Sequence, residues 1–146
     1  MTPKAQFQIK QVDWQQAEQA LTAIRMTVFV NEQNVPIDLE IDGLDPQCIH
    51  VMASDQTNKA IGAARMQKNG HIGRMAVLRE HRNKGIGSAL LNTLIEIAKT
   101  RNLQRVYLYA QISAVKFYQN HQFTQYDKKF MDAGIPHIAM QRLLNS

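Results

Sequence analysis

The chain has 146 residues, a length that predicts a single domain over residues 1–146 and argues against a multidomain enzyme. Apolar residues make up 45% of the chain and charged residues 20%, which excludes a disordered protein, and no apolar run approaches the roughly 18 residues of a membrane span. The net charge is +5, but residues 26–58 contain six acids and no base, so the rest of the chain carries +11.

This uneven charge limits the classes of partner. The basic part could neutralise an anion and the acidic part could attract a cation, although a solvated acidic loop is the plainer interpretation. No nucleic acid is expected, because the basic residues are spread out and accompany no recognition motif. No metal is expected either, since the single cysteine and five histidines lack metal-ligand spacing. The N-terminus lacks the apolar core of a signal peptide, so we expect a cytoplasmic protein with no membrane partner.

The first third of the chain is predicted to contain a strand, a helix and a long loop. Phe7 and Ile9 begin the strand, and Asp13 with Gln16 three residues later forms the capping-box pattern of a helix start. Apolar residues then recur at helical spacing, at Ala17, Ala20, Leu21, Ile24 and Val28. Residues 30–47, here called the acidic segment, contain Pro36, Gly43 and Pro46. This segment is therefore expected to be a loop with room for one short helical turn, and ordered loops of this length tend to be functional.

The remaining chain alternates between strands and helices. The predicted bounds are strands at 48–54, 60–67, 71–78 and 105–110, helices at 85–101 and 114–121, and final strands at 123–130 and 137–143. The first three of these strands are predicted to form an antiparallel meander, in which Asn69-Gly70 predicts a two-residue type I′ turn. Gly73 marks either a bulge or a close approach of another backbone. The strand at 105–110 is predicted to run parallel to the strand at 71–78 through a right-handed crossover.

These elements predict an α/β fold with a mixed sheet. The sheet is expected to be central, twisted and mostly antiparallel, to contain one parallel crossover pair, and to be flanked by about four helices. The final two strands are expected to be joined around Gly134 and Pro136.

Residues 79–88, here called the glycine loop, have the composition of a phosphate-binding segment. They lead into a predicted helix, whose first N–H groups lack partners, and the cations Arg82 and Lys84 lie beside two glycines. The candidate phosphate-binding residues are Arg82, Asn83, Lys84, Gly85, Ile86, Gly87 and Ser88. The P-loop pattern is absent, and Leu90 stands where a dinucleotide fingerprint needs its third glycine. NAD is therefore not expected.

The glycine loop resembles the cofactor motif of the GNAT superfamily of acyl-CoA-dependent N-acetyltransferases. That motif has Gln or Arg, two residues, Gly, one residue and Gly or Ala, and residues 82–87 match each defined position. The strand residues that precede it in the family correspond to 74–77. A second motif, an aromatic pair followed by a spacer and Gly-Phe, is similar to residues 117–123, although Gln122 replaces the glycine. Residues 28–33, 40–42 and 134–137 look like the ElaA-like branch of the superfamily.

The resemblance implies a GNAT-like fold and acetyl-CoA as cosubstrate. It assigns the pantetheine arm and the thioester carbonyl to the strand backbone at Met75, Ala76 and Val77, and the phosphates to residues 82–88. Tyr118 is implied as the acid that protonates the departing thiolate, and the alternative is an aromatic side chain that only lines the pocket. No metal is implied.

The general base is assigned less directly. His71 lies four residues before Met75, where several members of the superfamily carry a catalytic glutamate or histidine, and its ordinary pKa near 6.5 suits a base at neutral pH. A plain surface histidine beside the turn is the equal alternative. Glu40, Asp42 and His137 are competing bases, or groups that hold a cationic substrate.

The expected function is therefore transfer of an acetyl group from acetyl-CoA to a primary amine, in a ternary complex and without a covalent intermediate. The acceptor is a small-molecule or peptide amine. A non-catalytic acyl-CoA-binding or sensing module is the alternative. Because many relatives form dimers, a homodimer is a further expectation.

Overall fold

A computed structural model describes residues 6–144. In chain order, the strands and α-helices are β1 (Phe7–Val12), α1 (Trp14–Arg25), α2 (Ile37–Glu40), β2 (Ile49–Asp55), β3 (Ala60–Met66), β4 (Ile72–Val77), α3 (Ile86–Thr100), β5 (Arg105–Gln111), α4 (Val115–Asn120), β6 (Thr124–Asp132) and β7 (Ile135–Leu143). A π-helical segment, Met26–Glu32, continues directly from α1. Among the described residues, no helix has the length and apolar character needed to cross a membrane.

The strands form two antiparallel sheets that meet at one point. The first has the order β1-β2-β3-β4 and the second the order β5-β7-β6. Between them, His71 and Tyr107 form an isolated parallel bridge, and the Tyr107 N–H donates to the Gly70 carbonyl at 3.0 Å. The predicted mixed α/β fold, with mostly antiparallel strands and four helices, is confirmed. The predicted parallel pairing of β4 with β5 is limited to this one bridge.

Helices cover both faces of the first sheet. One group of buried side chains joins α3 to the sheet through Leu90, Leu91 and Leu94, and a second joins α1 through Leu21 and Ile24. Burial of the apolar side chains in these two groups is the main stabilising contribution to the fold. The sheet therefore lies between two apolar layers, and its far end, beyond β4, is left to form the site.

Two predicted local details are wrong. Asn69-Gly70 is not a two-residue type I′ turn: the Gln67 N–H donates to the His71 carbonyl at 2.8 Å, so Lys68, Asn69 and Gly70 form a three-residue loop in which only Gly70 has a positive φ, +98°. The two-residue turn with both φ angles positive instead joins β6 to β7, at residues 133 and 134.

The second detail concerns the start of α1. Asp13 occupies the N-cap position, as predicted, but its side chain makes no capping hydrogen bond, and the Gln16 N–H donates to the Asp13 backbone carbonyl at 3.1 Å. The predicted capping box is therefore replaced by backbone hydrogen bonds.

Gln122 occupies a position that favours glycine. It follows α4 with φ +70°, its N–H donates to the Gln119 carbonyl at 3.0 Å, and the Phe123 N–H donates to the Tyr118 carbonyl at 3.0 Å. These two hydrogen bonds define a Schellman motif, whose left-handed residue is usually glycine because a side chain there is strained. Gln122 therefore keeps the geometry of the motif glycine at a cost in stability.

We expect the Gln122→Gly variant to raise the free energy of unfolding by ~1 kcal/mol, because glycine adopts the left-handed conformation without strain. Urea unfolding followed by circular dichroism measures this difference. The control is Gln119→Gly, which places glycine inside α4 and should lower the free energy of unfolding by ~1 kcal/mol. A Gln122→Gly variant no more stable than the parent protein would contradict the assignment of strain.

Candidate active site

The site lies where β4 and β5 separate. Beyond the His71–Tyr107 bridge the two strands are not paired, and a cavity of about 480 Å³ opens between them. Its walls include side chains from β4, β5, β7, α4 and the acidic segment. Backbone groups at such an unpaired strand edge are free to bind an extended ligand, as a further strand would.

A bulge in β4 shapes one wall of the cavity. Ala63 pairs with Ala76 and Arg65 with Gly73, so two residues of β4, Arg74 and Met75, lie opposite a single residue of β3. Arg74 takes up the distortion with φ +50°. The predicted bulge is confirmed, and it falls directly after Gly73. Since a bulged residue leaves the ladder, the backbone amides here are available to a bound group.

The Arg74 side chain stabilises this bulge. Its guanidinium donates to the carbonyl oxygens of Leu39 and Glu40, at 3.2 and 3.0 Å, and to the Asp42 carboxylate at 3.2 Å. Arg74 therefore fastens the acidic segment to the strand that carries the predicted thioester contacts.

The glycine loop forms the start of α3. Asn83 and Gly85 have positive φ angles, +63° and +84°, and the Ala89 N–H makes the first intrahelical hydrogen bond, to the Gly85 carbonyl at 3.0 Å. The N–H groups of residues 86–88 consequently have no carbonyl partner within the helix. Such a helix start binds anions, because its free donors coincide with the positive end of the helix dipole.

The two cations predicted beside this loop differ in their surroundings. The Arg82 guanidinium donates to both carboxylate oxygens of Glu32, at 2.6 and 2.9 Å, and to the Val77 carbonyl at 2.9 Å. The hydrogen bonds from Arg82 lower the pKa of Glu32, which keeps the pair ionised. Lys84 is exposed and forms no ion pair within the described part of the chain. Arg82 thus holds the loop in place, whereas Lys84 is available to a ligand.

Tyr118 brings the two sequence motifs together. Its hydroxyl lies 3.8 Å from the sulfur of Met75, and its ring packs against Phe117 and Phe123. Burial raises the pKa of Tyr118 to about 12. The phenol is therefore protonated throughout the physiological range, and it lies beside the bulge of β4.

His71 lies across the cavity from α4, at the bridge between the sheets. Its ring stacks on Tyr107 with centroids 4.7 Å apart, and Nδ1 is 3.1 Å from the Gln67 side-chain amide. Burial, and then the charges of Arg65 and Arg74, lower the pKa of His71 below 6.5. The ring is therefore neutral at pH 7. The amide nitrogen of Gln67 donates to Nδ1, which places the proton of the neutral ring on Nε2. Rotation of the Gln67 amide by 180° would let its oxygen accept from Nδ1–H and leave the lone pair on Nε2.

His137, on β7, also lines the cavity. Its Nδ1 lies 2.7 Å from the Ile135 carbonyl oxygen, and its ring stacks on Phe130 with centroids 5.8 Å apart. Because a carbonyl can only accept, Nδ1 carries a proton and donates it to Ile135. His71 and His137 thus both bring a fixed imidazole to the same cavity.

The predicted acidic residues Glu40 and Asp42 lie in an ion cluster. Three carboxylates and three guanidinium groups form it: Glu40, Asp42, Asp45, Arg25, Arg65 and Arg74. Both Glu40 oxygens accept from Arg25, and the Asp42 carboxylate accepts from Arg65 and Arg74. The cluster has no net charge, so these acids do not present the free negative charge expected from the sequence.

Burial alone would raise the pKa of Asp42, but hydrogen bonds from Arg65 and from the Leu44 N–H hold it well below 3.8.

The arginines of the cluster were not predicted as site residues. Arg65 lies within the apolar run 60–66, and a cation there signals a buried carboxylate partner.

We expect the Asp42→Asn variant to unfold with a free energy ~2 kcal/mol lower at pH 7, because Arg65 and Arg74 lose their shared carboxylate. The folded-state pKa of Asp42 is depressed, so its contribution is present above about pH 4 and is lost as the pH falls. The two proteins should therefore converge in stability toward pH 2 in urea unfolding.

The control for this experiment is Asp38→Asn. Asp38 is an exposed acid of the same segment that forms no ion pair among residues 6–144, so its substitution should change stability by less than ~0.5 kcal/mol. Equal effects of the two variants at both pH values would contradict the role given to the ion cluster.

The sequence and the fold of this chain are similar to those of known acetyltransferases. Residues 44–144 match the family model of the acetyltransferase (GNAT) domain. The sequence is 37% identical over 123 residues to the uncharacterized N-acetyltransferase YjcF of Bacillus subtilis, a match that covers 82% of this chain and 87% of that protein.

Two solved structures are similar over most of the chain. Escherichia coli ElaA superposes with a TM-score of 0.83 and 28% identity, covering 93% of this chain and 99% of that one. An acyl-CoA N-acyltransferase from Pseudomonas aeruginosa gives a TM-score of 0.81 and 28% identity, covering 93% of this chain and 97% of that one. The similarity thus extends over nearly all of the fold described above.

Proposed function

The chain is an N-acetyltransferase of the GNAT family, and we propose that it transfers an acetyl group from acetyl-CoA directly to a primary amine in the cavity between β4 and β5. The contact between Tyr118 and Met75 carries this proposal, because it joins the two motifs at the unpaired edge of β4. In the reaction a C–N bond forms, the C–S bond breaks, the amine loses a proton and the thiolate gains one.

The described residues suit acetyl-CoA, which supplies the acyl group as an activated thioester. The N–H groups of residues 86–88, with Lys84 beside them, have the donors and charge to hold phosphates. The backbone of Met75, Ala76 and Val77 lies at the unpaired edge of β4, where it can hold an extended arm as a further strand would and donate to the carbonyl oxygen. Arg82 keeps the loop in position through Glu32.

A primary amine needs a base, because its pKa near 10 leaves only about one molecule in a thousand neutral at pH 7. We assign this role to His71, whose neutral ring lines the cavity and whose orientation is fixed by Gln67 and Tyr107. His137 lines the same cavity from β7, and we propose it as a further contact of the acceptor. Glu40 and Asp42 act indirectly, by holding the acidic segment against β4 through the ion cluster.

Tyr118 is assigned to the leaving group. With a pKa of about 12 the phenol is a weaker acid than a thiol, whose pKa is near 8.5, so complete proton transfer to the thiolate is uphill. Its first contribution is therefore a hydrogen bond to the negative charge that develops on sulfur, in a buried site where such a bond is strong.

Pairing into a homodimer and a cytoplasmic location stay predictions from the sequence.

The test of this function is release of free thiol from acetyl-CoA that depends on an added primary amine, with an acetylated amine as product. We expect the Tyr118→Phe variant to bind acetyl-CoA with unchanged affinity in calorimetry but to turn over about 10²-fold more slowly, because the ring stays and only the donor is lost. Unchanged turnover at saturating substrates would refute the role of the hydroxyl. Binding of acetyl-CoA without transfer to any amine would instead indicate a sensing module.

His71→Gln removes the proposed base while keeping a polar side chain of similar reach. We expect kcat to fall about 10²-fold or more at pH 7, with little change in the Kd of acetyl-CoA. In the parent protein kcat should also fall as the pH drops below 6.5, because the lowered pKa of His71 places its protonation there. The variant should lack this acid limb. An unchanged pH profile would move the base to another group, with His137 as the next candidate.

A further inference from the structure

We infer that the acceptor is an amine with a single positive charge and an apolar body, aromatic or branched alkyl, and is not a polycation. This inference rests on the proposed acetyl transfer and names the class of amine that the cavity accepts. It depends on three independent features of the cavity: the charge of its lining, an aromatic wall, and an apolar rim.

The charge of the lining does not suit a polycation. Glu40 and Asp42 contribute to the cavity walls, but both belong to the ion cluster, in which each carboxylate is matched by a guanidinium group. Arg65 and Arg74 of the same cluster also line the cavity. Among the residues that line it, Asp132 is the acid outside the cluster. A polyamine or an aminoglycoside needs several unpaired carboxylates, whereas one ammonium group needs one partner.

Four aromatic side chains form one wall of the cavity, here called the aromatic wall. It consists of His71, Tyr109 and His137, which line the cavity, together with Phe130, which contacts the last two. The ring centroids lie 4.7 Å apart from His71 to Tyr109, 5.2 Å from Tyr109 to Phe130 and 5.8 Å from Phe130 to His137. Tyr109 remains 44% exposed, so its ring is open to a ligand. Such rings pack against apolar groups and attract one cation through their π faces.

The rim of the cavity is also apolar. Leu39 and Leu44 line it and remain 54% and 37% exposed, and their neighbours Ile37 and Ile41 are 45% and 56% exposed. Four large exposed aliphatic side chains within eight residues form a concentrated patch, which is unusual on a surface that contacts only water. At the mouth of a cavity they provide a contact for the apolar body of an acceptor.

The three features therefore divide the acceptor into two parts. The amino group lies beside the imidazole of His71, which bridges to Tyr107 of β5. His137 and Asp132 lie at the other end of the aromatic wall, where His137 pairs with Gln111, and Asp132 there attracts the positive charge of the approaching amine. The body of the acceptor packs on Tyr109 and reaches the rim at Leu39 and Leu44.

The experiment compares 2-phenylethylamine, isopentylamine, ethylamine and spermidine as acceptors. We expect kcat/KM for 2-phenylethylamine and isopentylamine to exceed the value for spermidine at least tenfold. In the Tyr109→Ser variant, kcat/KM should fall about tenfold for 2-phenylethylamine and much less for ethylamine, which has almost no body to contact the ring. The matched control is Tyr126→Ser, since Tyr126 is similarly exposed but lies outside the cavity lining.

A second readout separates this inference from the proposed function. Calorimetric titration of 2-phenylethylamine and of spermidine into the CoA-loaded protein measures acceptor binding without turnover. Tighter binding of 2-phenylethylamine supports the inference even if no acetyl group is transferred, in which case only the proposed function fails. The inference is overturned if spermidine binds or reacts as well as 2-phenylethylamine, if neither amine binds, or if Tyr109→Ser lowers kcat/KM equally for 2-phenylethylamine and ethylamine.

Discussion

The separation of β4 from β5 is the constraint on which the rest of the structure depends. The two strands approach closely at one place, where a Cβ atom on Gly70 would lie 2.6 Å from the Arg105 carbonyl oxygen. Beyond it, the bulge at Arg74 and Met75 turns β4 away from a regular ladder. Backbone groups that would otherwise pair across the sheet are thereby left for ligands, and a cavity forms in the interior of the fold.

The same bulge also affects packing on both faces of the sheet. Ile72 contacts the side-chain cluster around α3, whereas Ala76, four residues later, belongs to the cluster around α1. In a regular strand, residues four apart share a face, so the one additional residue moves the second half of β4 to the opposite face. The distortion at the site is therefore held in place by the apolar packing on either side of it.

Charge has a different function here from the one its distribution along the sequence indicates. The acidic segment could attract cations if its carboxylates were free, but arginines from α1, β3 and β4 neutralise three of them and Arg82 neutralises Glu32. Ion pairs of this kind add little net stability compared with apolar packing, but each fixes the direction of a side chain and of the backbone that carries it. The charges of the ion cluster and of the Arg82–Glu32 pair therefore position the acidic segment and the glycine loop, and the proposed recognition of the acceptor falls to uncharged groups together with Asp132.

The sequence by itself determined the features that depend on neighbours along the chain. The order of the strands and of the longer helices, the helix start at the glycine loop, and the two motifs containing Gly85 and Tyr118 all follow from spacing within a few residues. Only the tertiary structure decided which groups meet across the fold. Arg82 pairs with Glu32 fifty positions away, and Arg74 bonds the Glu40 carbonyl thirty-four positions away. The aromatic wall likewise draws its residues from β5, β6, β7 and the residue before β4. Such contacts depend on how strands and helices pack in three dimensions, and hydrophobic periodicity carries no information about which charged or aromatic side chains that packing brings together.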